Sequence, residues 1–154
     1  FDMAVLVPFD GSVLAKSALF HGGRAAELDG TPLLAATVIP VNNTEYADKK
    51  GWITSDEEFD KKRIISRLRQ QVEDCVSSAI FEHFSVGRYA SSGTMANRLR
   101  RVARNRDVTS IFIGSDAAGQ ALLGTESVGG RVLFKKDCDV AIIRNPVSNL
   151  EVDA

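Results

Sequence analysis

Residues 3–9 form a nearly continuous apolar run that has the length of a single strand. Because successive side chains of a strand point to opposite faces of a sheet, a run that is apolar throughout requires both faces to be buried. This pattern is typical of a parallel sheet that helices cover on both sides. Similar runs at residues 33–39, 108–113 and 140–143 predict further strands, and a weaker run at 85–90 predicts another.

Segments with helical periodicity lie between the predicted strands. The first follows the D-G-S triplet at residues 10–12 and ends at Gly30, because Ser or Asp can cap a helix start and Gly often terminates a helix. The longest segment, residues 55–80, opens with an S-x-x-E capping box and is amphipathic throughout. Two more helices are predicted at residues 95–106 and 127–136.

Strands therefore alternate with helices along the chain. Right-handed crossovers then give an α/β fold with a doubly wound, five-stranded parallel sheet and helices on both faces. A chain of 154 residues, of which 44% are hydrophobic, fits one such domain with its own core. We expect the domain to span residues 1–147, followed by a C-terminal tail at residues 148–154.

Charge and the length of the apolar runs argue against several classes of protein. A formal net charge of -1 gives no general attraction to nucleic acid or to an anionic membrane. No apolar run is long enough to span a bilayer, and no signal segment precedes the first one, so we expect a cytoplasmic protein. Cys75 and Cys138 are predicted to be buried free thiols. His21 and His83 lie on predicted helices without carboxylates at ligand spacing, so no metal site is expected.

The predicted helix at residues 95–106 raises the alternative of a nucleic-acid surface, because it carries five arginines. Leu99, Val102 and Ala103 would form the buried stripe of this helix, which places the arginines on its solvated face. No aromatic residues are interleaved with them. We therefore do not expect nucleic acid as a partner. The five arginines are Arg98, Arg100, Arg101, Arg104 and Arg106.

Ligands of doubly wound sheets bind at the carboxyl ends of the strands, near the point where the strand order reverses. This rule points to three loops: residues 10–12, the region of Val38, and the segment after Gly114. The polar segment at residues 41–54 follows the second strand and carries the only tryptophan, Trp52. We interpret it as a surface loop pinned by that ring, with a lid over the ligand as the alternative.

The three loops together resemble those of the universal stress protein family. Its members have an early strand ending in D-G-S, a second strand whose end contacts adenine, and a late phosphate loop. The late motif is G-x-x-G, then about nine residues, then G-[S/T]-V, and its glycines let backbone N–H groups approach phosphate oxygens. Here the corresponding stretches are residues 114–119 and 126–128, followed by the strand start at 138–140. The resemblance covers nearly the whole chain and implies a Rossmann-like fold of the adenine nucleotide alpha hydrolase type.

The phosphate loop departs from the family pattern. Ala117 replaces the second glycine of the first cluster, and Glu126 stands where the second cluster has its glycine. The interval between the clusters is one residue short, although Gly119 is placed to supply the missing turn. An alternative alignment uses residues 124–125 as the G-[S/T] pair but breaks the spacing to the last strand.

Asp116 and Glu126 introduce negative charge into this loop. A carboxylate about 4 Å from a phosphate opposes binding by roughly 4 kcal/mol at an effective dielectric constant near 20. A bridging Mg²⁺ would reverse the sign, because hard cations bind carboxylate and phosphate oxygens together. The sequence leaves open whether these acids repel phosphate, hold Mg²⁺, or point outward.

The resemblance implies a regulatory module that binds ATP, AMP or another adenine nucleotide. Asp10 would hydrogen-bond near the ribose or adenine, and the backbone of Val38 would pair with the adenine edge. The alternative roles are structural, with Asp10 capping its turn and Val38 filling the core. No catalytic base is visible, so hydrolysis would at most be slow. The candidate nucleotide-binding residues are Pro8, Phe9, Asp10, Val38, Ile113, Gly114, Asp116, Ala117, Gly119, Glu126, Ser127 and Val128.

The last predicted strand would be an exposed sheet edge, and such edges pair readily with a second copy of the chain. This strand resembles the one that forms the usual dimer contact in the family. We therefore expect a homodimer formed through Val140, Ala141, Ile142 and Ile143. The alternative function is a dimeric stress-response scaffold that does not bind ATP and acts through protein partners.

Overall fold

The computed structural model describes residues 3–114 and 138–147 of the chain. The described strands are β1 (Ala4–Pro8), β2 (Leu33–Pro40), β3 (Ile80–Val86), β4 (Val108–Gly114) and β5 (Asp139–Ile143). The described helices are α1 (Val13–Asp29), α2 (Thr44–Lys49), α3 (Lys61–Cys75) and α4 (Ser92–Asn105). The predicted helix at residues 127–136 and the predicted tail at 148–154 lie outside the described residues.

The five strands form one parallel sheet in the order β3-β2-β1-β4-β5. From β1 the chain adds strands outward to β3, and then returns to the other side of β1 for β4. The strand order therefore reverses between β1 and β4. This reversal places the carboxyl ends of these two strands beside the crevice in which doubly wound proteins bind ligands.

Helices cover both faces of the sheet, as predicted. On one face α1 and α3 pack over a buried cluster that includes Val5, Val7 and Leu68. On the other face α4 packs over a cluster that includes Leu6 and Leu34. Strands β1 and β2 are buried on both faces, which explains why their sequences are apolar at almost every position. Among the helices that the structure describes, none combines the length and apolar character needed to cross a bilayer.

Helix α3 is shorter at both ends than the predicted helix at residues 55–80. It begins at Lys61, where the side chain of Asp60 accepts a hydrogen bond from the Arg63 N–H and caps the helix. The predicted capping box of Ser55 and Glu58 is wrong, because the helix begins at Lys61 and Asp60 is its cap. The helix ends at Cys75.

Strand β3 occupies Ile80–Val86 rather than the predicted residues 85–90. Phe81 packs toward the cluster under α3, whereas Phe84 packs toward the cluster under α4. The strand is therefore apolar on alternating faces. Its first residue, Ile80, is also the last residue of the helix predicted at residues 55–80. His83 consequently lies on a strand and not on a helix as predicted.

The predicted loop at residues 41–54 contains a short helix, α2. The side chain of Asn43 caps it by accepting a hydrogen bond from the Tyr46 N–H at 3.0 Å. Periodicity did not reveal this helix because it has only six residues, of which Ala47 alone is buried.

Cys75 and Cys138 are both partly buried, whereas the sequence predicted full burial. Cys75 is the last residue of α3 and Cys138 directly precedes β5, and each packs against a buried cluster. Burial raises the pKa of Cys75, which disfavours its thiolate.

Candidate functional site

Asp10 lies just beyond the carboxyl end of β1, at the strand reversal. It is only 8% exposed. One carboxylate oxygen accepts a hydrogen bond from the backbone N–H of Ser12 at 3.0 Å, which closes the tight turn that positive φ at Gly11 permits. Ser12 then caps α1 by accepting from the Ala15 N–H at 3.1 Å. The D-G-S triplet thus fixes both the turn and the start of the helix.

Lys50 holds the other carboxylate oxygen of Asp10. Its ammonium nitrogen lies 2.9 Å from that oxygen, and both side chains are mostly buried. Burial alone would raise the pKa of Asp10, but the hydrogen bond and charge of Lys50, together with the Ser12 N–H, hold that pKa below its ordinary value. Asp10 is therefore an anion at neutral pH and a hydrogen-bond acceptor only.

Trp52 fastens the segment after α2 to the same turn. Its indole N–H donates to the backbone oxygen of Asp10 at 2.8 Å, and its ring is buried. Arg67 of α3 donates to the backbone oxygen of Trp52 at 2.8 Å and also pairs with Glu57. The segment at residues 43–53 therefore covers the carboxyl end of β1, as an ordered helix and turn rather than an irregular loop.

Pro8, Phe9 and Val38 lie where the sequence placed them, at or near the ends of β1 and β2. The side chains of Phe9 and Val38 belong to the two buried clusters, so only their backbone atoms are available to a ligand. The hydroxyl of Thr37 donates to the Phe9 carbonyl at 2.7 Å and ties the two strand ends together. The β1 register ends opposite Ala36, whereas β2 continues to Pro40, so the backbone at Val38 extends beyond β1.

Gly114 ends β4 directly against the first turn of α1. A Cβ atom at this position would lie 2.7 Å from the backbone carbon of Leu14 and 2.8 Å from the nitrogen of Ala15. No side chain fits there, so the glycine lets α1 approach the end of β4. Ile113 beside it is buried in the cluster under α4. The two carboxyl ends at the strand reversal are thus held within reach of the amino end of α1.

Six of the candidate residues lie outside the described residues. Within residues 3–114 and 138–147, the His, Cys, Asp and Glu side chains form no group of three that could hold a metal ion. The six candidates are Asp116, Ala117, Gly119, Glu126, Ser127 and Val128.

Lys50 is the site residue that the sequence analysis missed. The sequence offers two adjacent lysines, Lys49 and Lys50, and α2 exposes the first while directing the second toward Asp10. Lys50 also lies 5.6 Å from the ring centroid of Tyr46, which in turn packs edge-on against Trp52. Without the prediction of α2, nothing in the sequence distinguishes the two lysines.

The model of the universal stress protein family matches residues 3–144. A solved universal stress protein in complex with cAMP is 19% identical with a TM-score of 0.55, covering 92% of this chain and 97% of that chain. No protein with a curated description matches the sequence of this chain.

Two further solved structures are similar over the same extent. A protein of the universal stress protein family from Burkholderia pseudomallei is 21% identical with a TM-score of 0.53, covering 92% of this chain and 96% of that chain. UspA from Lactobacillus plantarum is 19% identical with a TM-score of 0.54, covering 93% and 98%. The similarity extends over nearly the full length of each of these solved chains and establishes a shared fold.

Proposed function

This chain belongs to the universal stress protein family, and we propose that it is a regulatory module that binds an adenine nucleotide at the carboxyl ends of β1, β2 and β4. The observation that carries the proposal is the buried, ionised carboxylate of Asp10 at the strand reversal. A universal stress protein of the same fold has been solved in complex with cAMP. That complex supports an adenine nucleotide as the class of ligand.

The nucleoside half of the ligand would bind between the ends of β1 and β2. A carboxylate has about four acceptor sites, so Asp10 can accept a ribose hydroxyl in addition to the donors that Ser12 and Lys50 already supply. The part of β2 that continues past β1 supplies backbone N–H and C=O groups for the edge of the adenine. The residue whose backbone would hydrogen-bond to the adenine edge is Val38.

The phosphate half of the ligand would bind beside Gly114 and the amino end of α1. The partial positive charge at the start of a helix favours an anion. Lys50 adds a cation on the other side of Asp10 and offsets the carboxylate charge that would otherwise repel phosphate. The remaining contacts would come from residues 116–128, with Mg²⁺ bridging Asp116 or Glu126 to the phosphates if those acids face the ligand.

We further propose that the chain works in the cytoplasm as a homodimer, in a stress response. Strand β5 is one outer strand of the described sheet, and Val140 on it is 40% exposed. An apolar edge of this kind pairs readily with a second copy of itself. The pairing would join Val140–Ile143 of the two copies.

Calorimetric titration of the purified chain with AMP, with ATP, and with ATP plus Mg²⁺ tests the proposed binding. We expect saturable heat with AMP. The variant Glu126→Gln then assigns the acid: tighter ATP binding would show repulsion, and weaker binding in Mg²⁺ would show a metal contact. The matched control is Glu58→Gln at an exposed position. A wild-type chain that gives no heat with any of the three, and carries no nucleotide by mass spectrometry, would overturn the proposal.

A further inference from the structure

Strand β3 is the second open edge of the sheet. Among the described residues it pairs only with β2, in continuous register from Ile80 to Val86. The outer side of an edge strand presents backbone N–H and C=O groups to solvent. Ile80 and Ser85 are both exposed along this strand. A strand of seven residues is therefore open to pairing on its outer side.

Two arginines flank this edge from opposite faces of the sheet. The guanidinium carbon of Arg69, on α3, lies 5.4 Å from the ring centroid of Phe81. That of Arg98, on α4, lies 4.6 Å from the ring centroid of Phe84. The two rings point to opposite faces, so the strand has a cation above it and another below it. Arg98 was predicted on the solvated face of its helix, and its packing against Phe84 corrects that expectation.

Basic residues lie close to β3 and directly after it. Burial lowers the pKa of His83 on this strand, and the nearby charges of Lys61 and Arg69 lower it further. Arg88 follows the strand and lies over the ring of Tyr89. No described acidic residue forms an ion pair with Lys61, Arg69, Arg88 or Arg98. The one acid on the strand, Glu82, pairs with Arg106.

We propose that β3 is a docking edge for an acidic, extended segment of a partner protein, which adds to the sheet as a further strand. The open backbone would supply main-chain hydrogen bonds, and carboxylates on the two faces of the segment would pair with Arg69 and Arg98. Residues an odd number of positions apart on an extended strand point to opposite faces, so acids three positions apart in the partner match the arginines that lie over Phe81 and Phe84. Charge complementarity selects the acidic class of segment.

A peptide fits this edge better than a single-stranded nucleic acid does. Non-specific nucleic-acid surfaces stack bases on open aromatic faces. The rings of Phe81 and Phe84 are already covered by guanidinium groups. The edge offers instead a regular row of backbone donors and acceptors, which is the pattern that another strand recognises.

Fluorescence anisotropy with a short labelled peptide that contains two glutamates three positions apart tests the proposal on the full chain. We expect saturable binding, and a loss of about tenfold or more in the double variant Arg69→Glu/Arg98→Glu, since two attractions become repulsions. The double variant Arg69→Gln/Arg98→Gln should show an intermediate loss while its circular dichroism spectrum shows a retained fold. The matched control is Arg101→Glu/Arg104→Glu, at two exposed positions of the same helix, which should bind as the wild type does.

A second peptide separates strand addition from simple charge attraction. It carries the same glutamates but has alternate backbone nitrogens methylated, which removes the donors that a strand needs, and we expect its binding to be lost. Equal binding of the two peptides would overturn the proposal. So would the absence of saturable binding, an equal loss in the control variant, or tighter binding of oligothymidylate that depends on the same two arginines.

Discussion

Lys50 forms an ion pair with Asp10 at the candidate site. We expect Lys50→Met to lower the free energy of unfolding by about 1–3 kcal/mol, because it leaves a buried carboxylate without its counter-charge. Urea unfolding at neutral pH measures this change. Lys49→Met, at the exposed neighbouring position, should change stability by no more than about 0.5 kcal/mol. Equal effects of the two substitutions would show that the Asp10 pair contributes nothing.

Gly114 is the residue whose smallness sets the distance between α1 and β4. Gly114→Ala would bring a Cβ to 2.7 Å from the backbone of Leu14, so α1 must shift. We expect a loss of about 1–3 kcal/mol in the free energy of unfolding, as for other overpacked core positions. The control is Gly87→Ala, where an added Cβ meets nothing within 4 Å. A wild-type melting temperature for Gly114→Ala would contradict the close approach.

Asp10 illustrates how far residue chemistry can be predicted from the sequence. Its place at the end of an apolar run and before a capping serine predicted the turn that the structure shows. Its ion pair with Lys50 was not predicted, because that contact joins residues 40 positions apart through a helix too short to leave a periodic signal. The D-G-S turn is a local feature, whereas the charge balance of the site depends on tertiary contacts.

At the scale of elements, Glu57 links Thr54, which directly follows the segment at residues 43–53, to Arg67 of α3. It pairs with Arg67 and Arg63 and accepts a hydrogen bond from the Thr54 N–H. Together these contacts lower the pKa of Glu57 from 4.5 to about 2. A carboxylate with a lowered folded-state pKa adds stability above its ordinary pKa, and that stability is lost as the pH falls through the folded value.

We therefore expect acid to weaken this link between pH 4.5 and about pH 2. Thermal melts monitored by Trp52 fluorescence across this window measure the loss. Glu57→Gln should flatten the pH dependence, whereas Glu58→Gln, at an exposed neighbouring position, should leave it as in the wild type. An unchanged slope in Glu57→Gln would rule out this ion-pair cluster as its source.

The elements that the sequence predicted well are those with strong, uninterrupted patterns. Strands β1, β2 and β4 are apolar runs bounded by turns, and α1 has both a serine cap and a glycine stop. The boundary between α3 and β3 was wrong because apolar residues at 76, 79 and 80 continue the helical spacing past Cys75. Periodicity alone cannot separate a helix end from a strand start when both face the same core.

For the whole molecule, the two outer strands of the described sheet suggest two separate surfaces. Strand β5 is proposed for self-pairing and β3 for an acidic segment, and the order of the sheet puts three strands between them. Val140→Arg should convert the dimer to a monomer by placing like charges across the proposed edge. Sedimentation velocity measures the change. Ile80→Arg, on the opposite edge, is the control and should remain dimeric; a monomeric wild type would contradict the dimer.

Binding of AMP to the wild type and to Asp10→Asn tests the central claim most directly. Calorimetry should show saturable binding to the wild type and a loss of about tenfold or more in Asp10→Asn, because a hydrogen bond to a charged group contributes roughly 1.5–3 kcal/mol. Asp48→Asn, at an exposed position on α2, should bind as the wild type does. Equal affinity for AMP in Asp10→Asn and the wild type would contradict the claim that this carboxylate forms the nucleotide site.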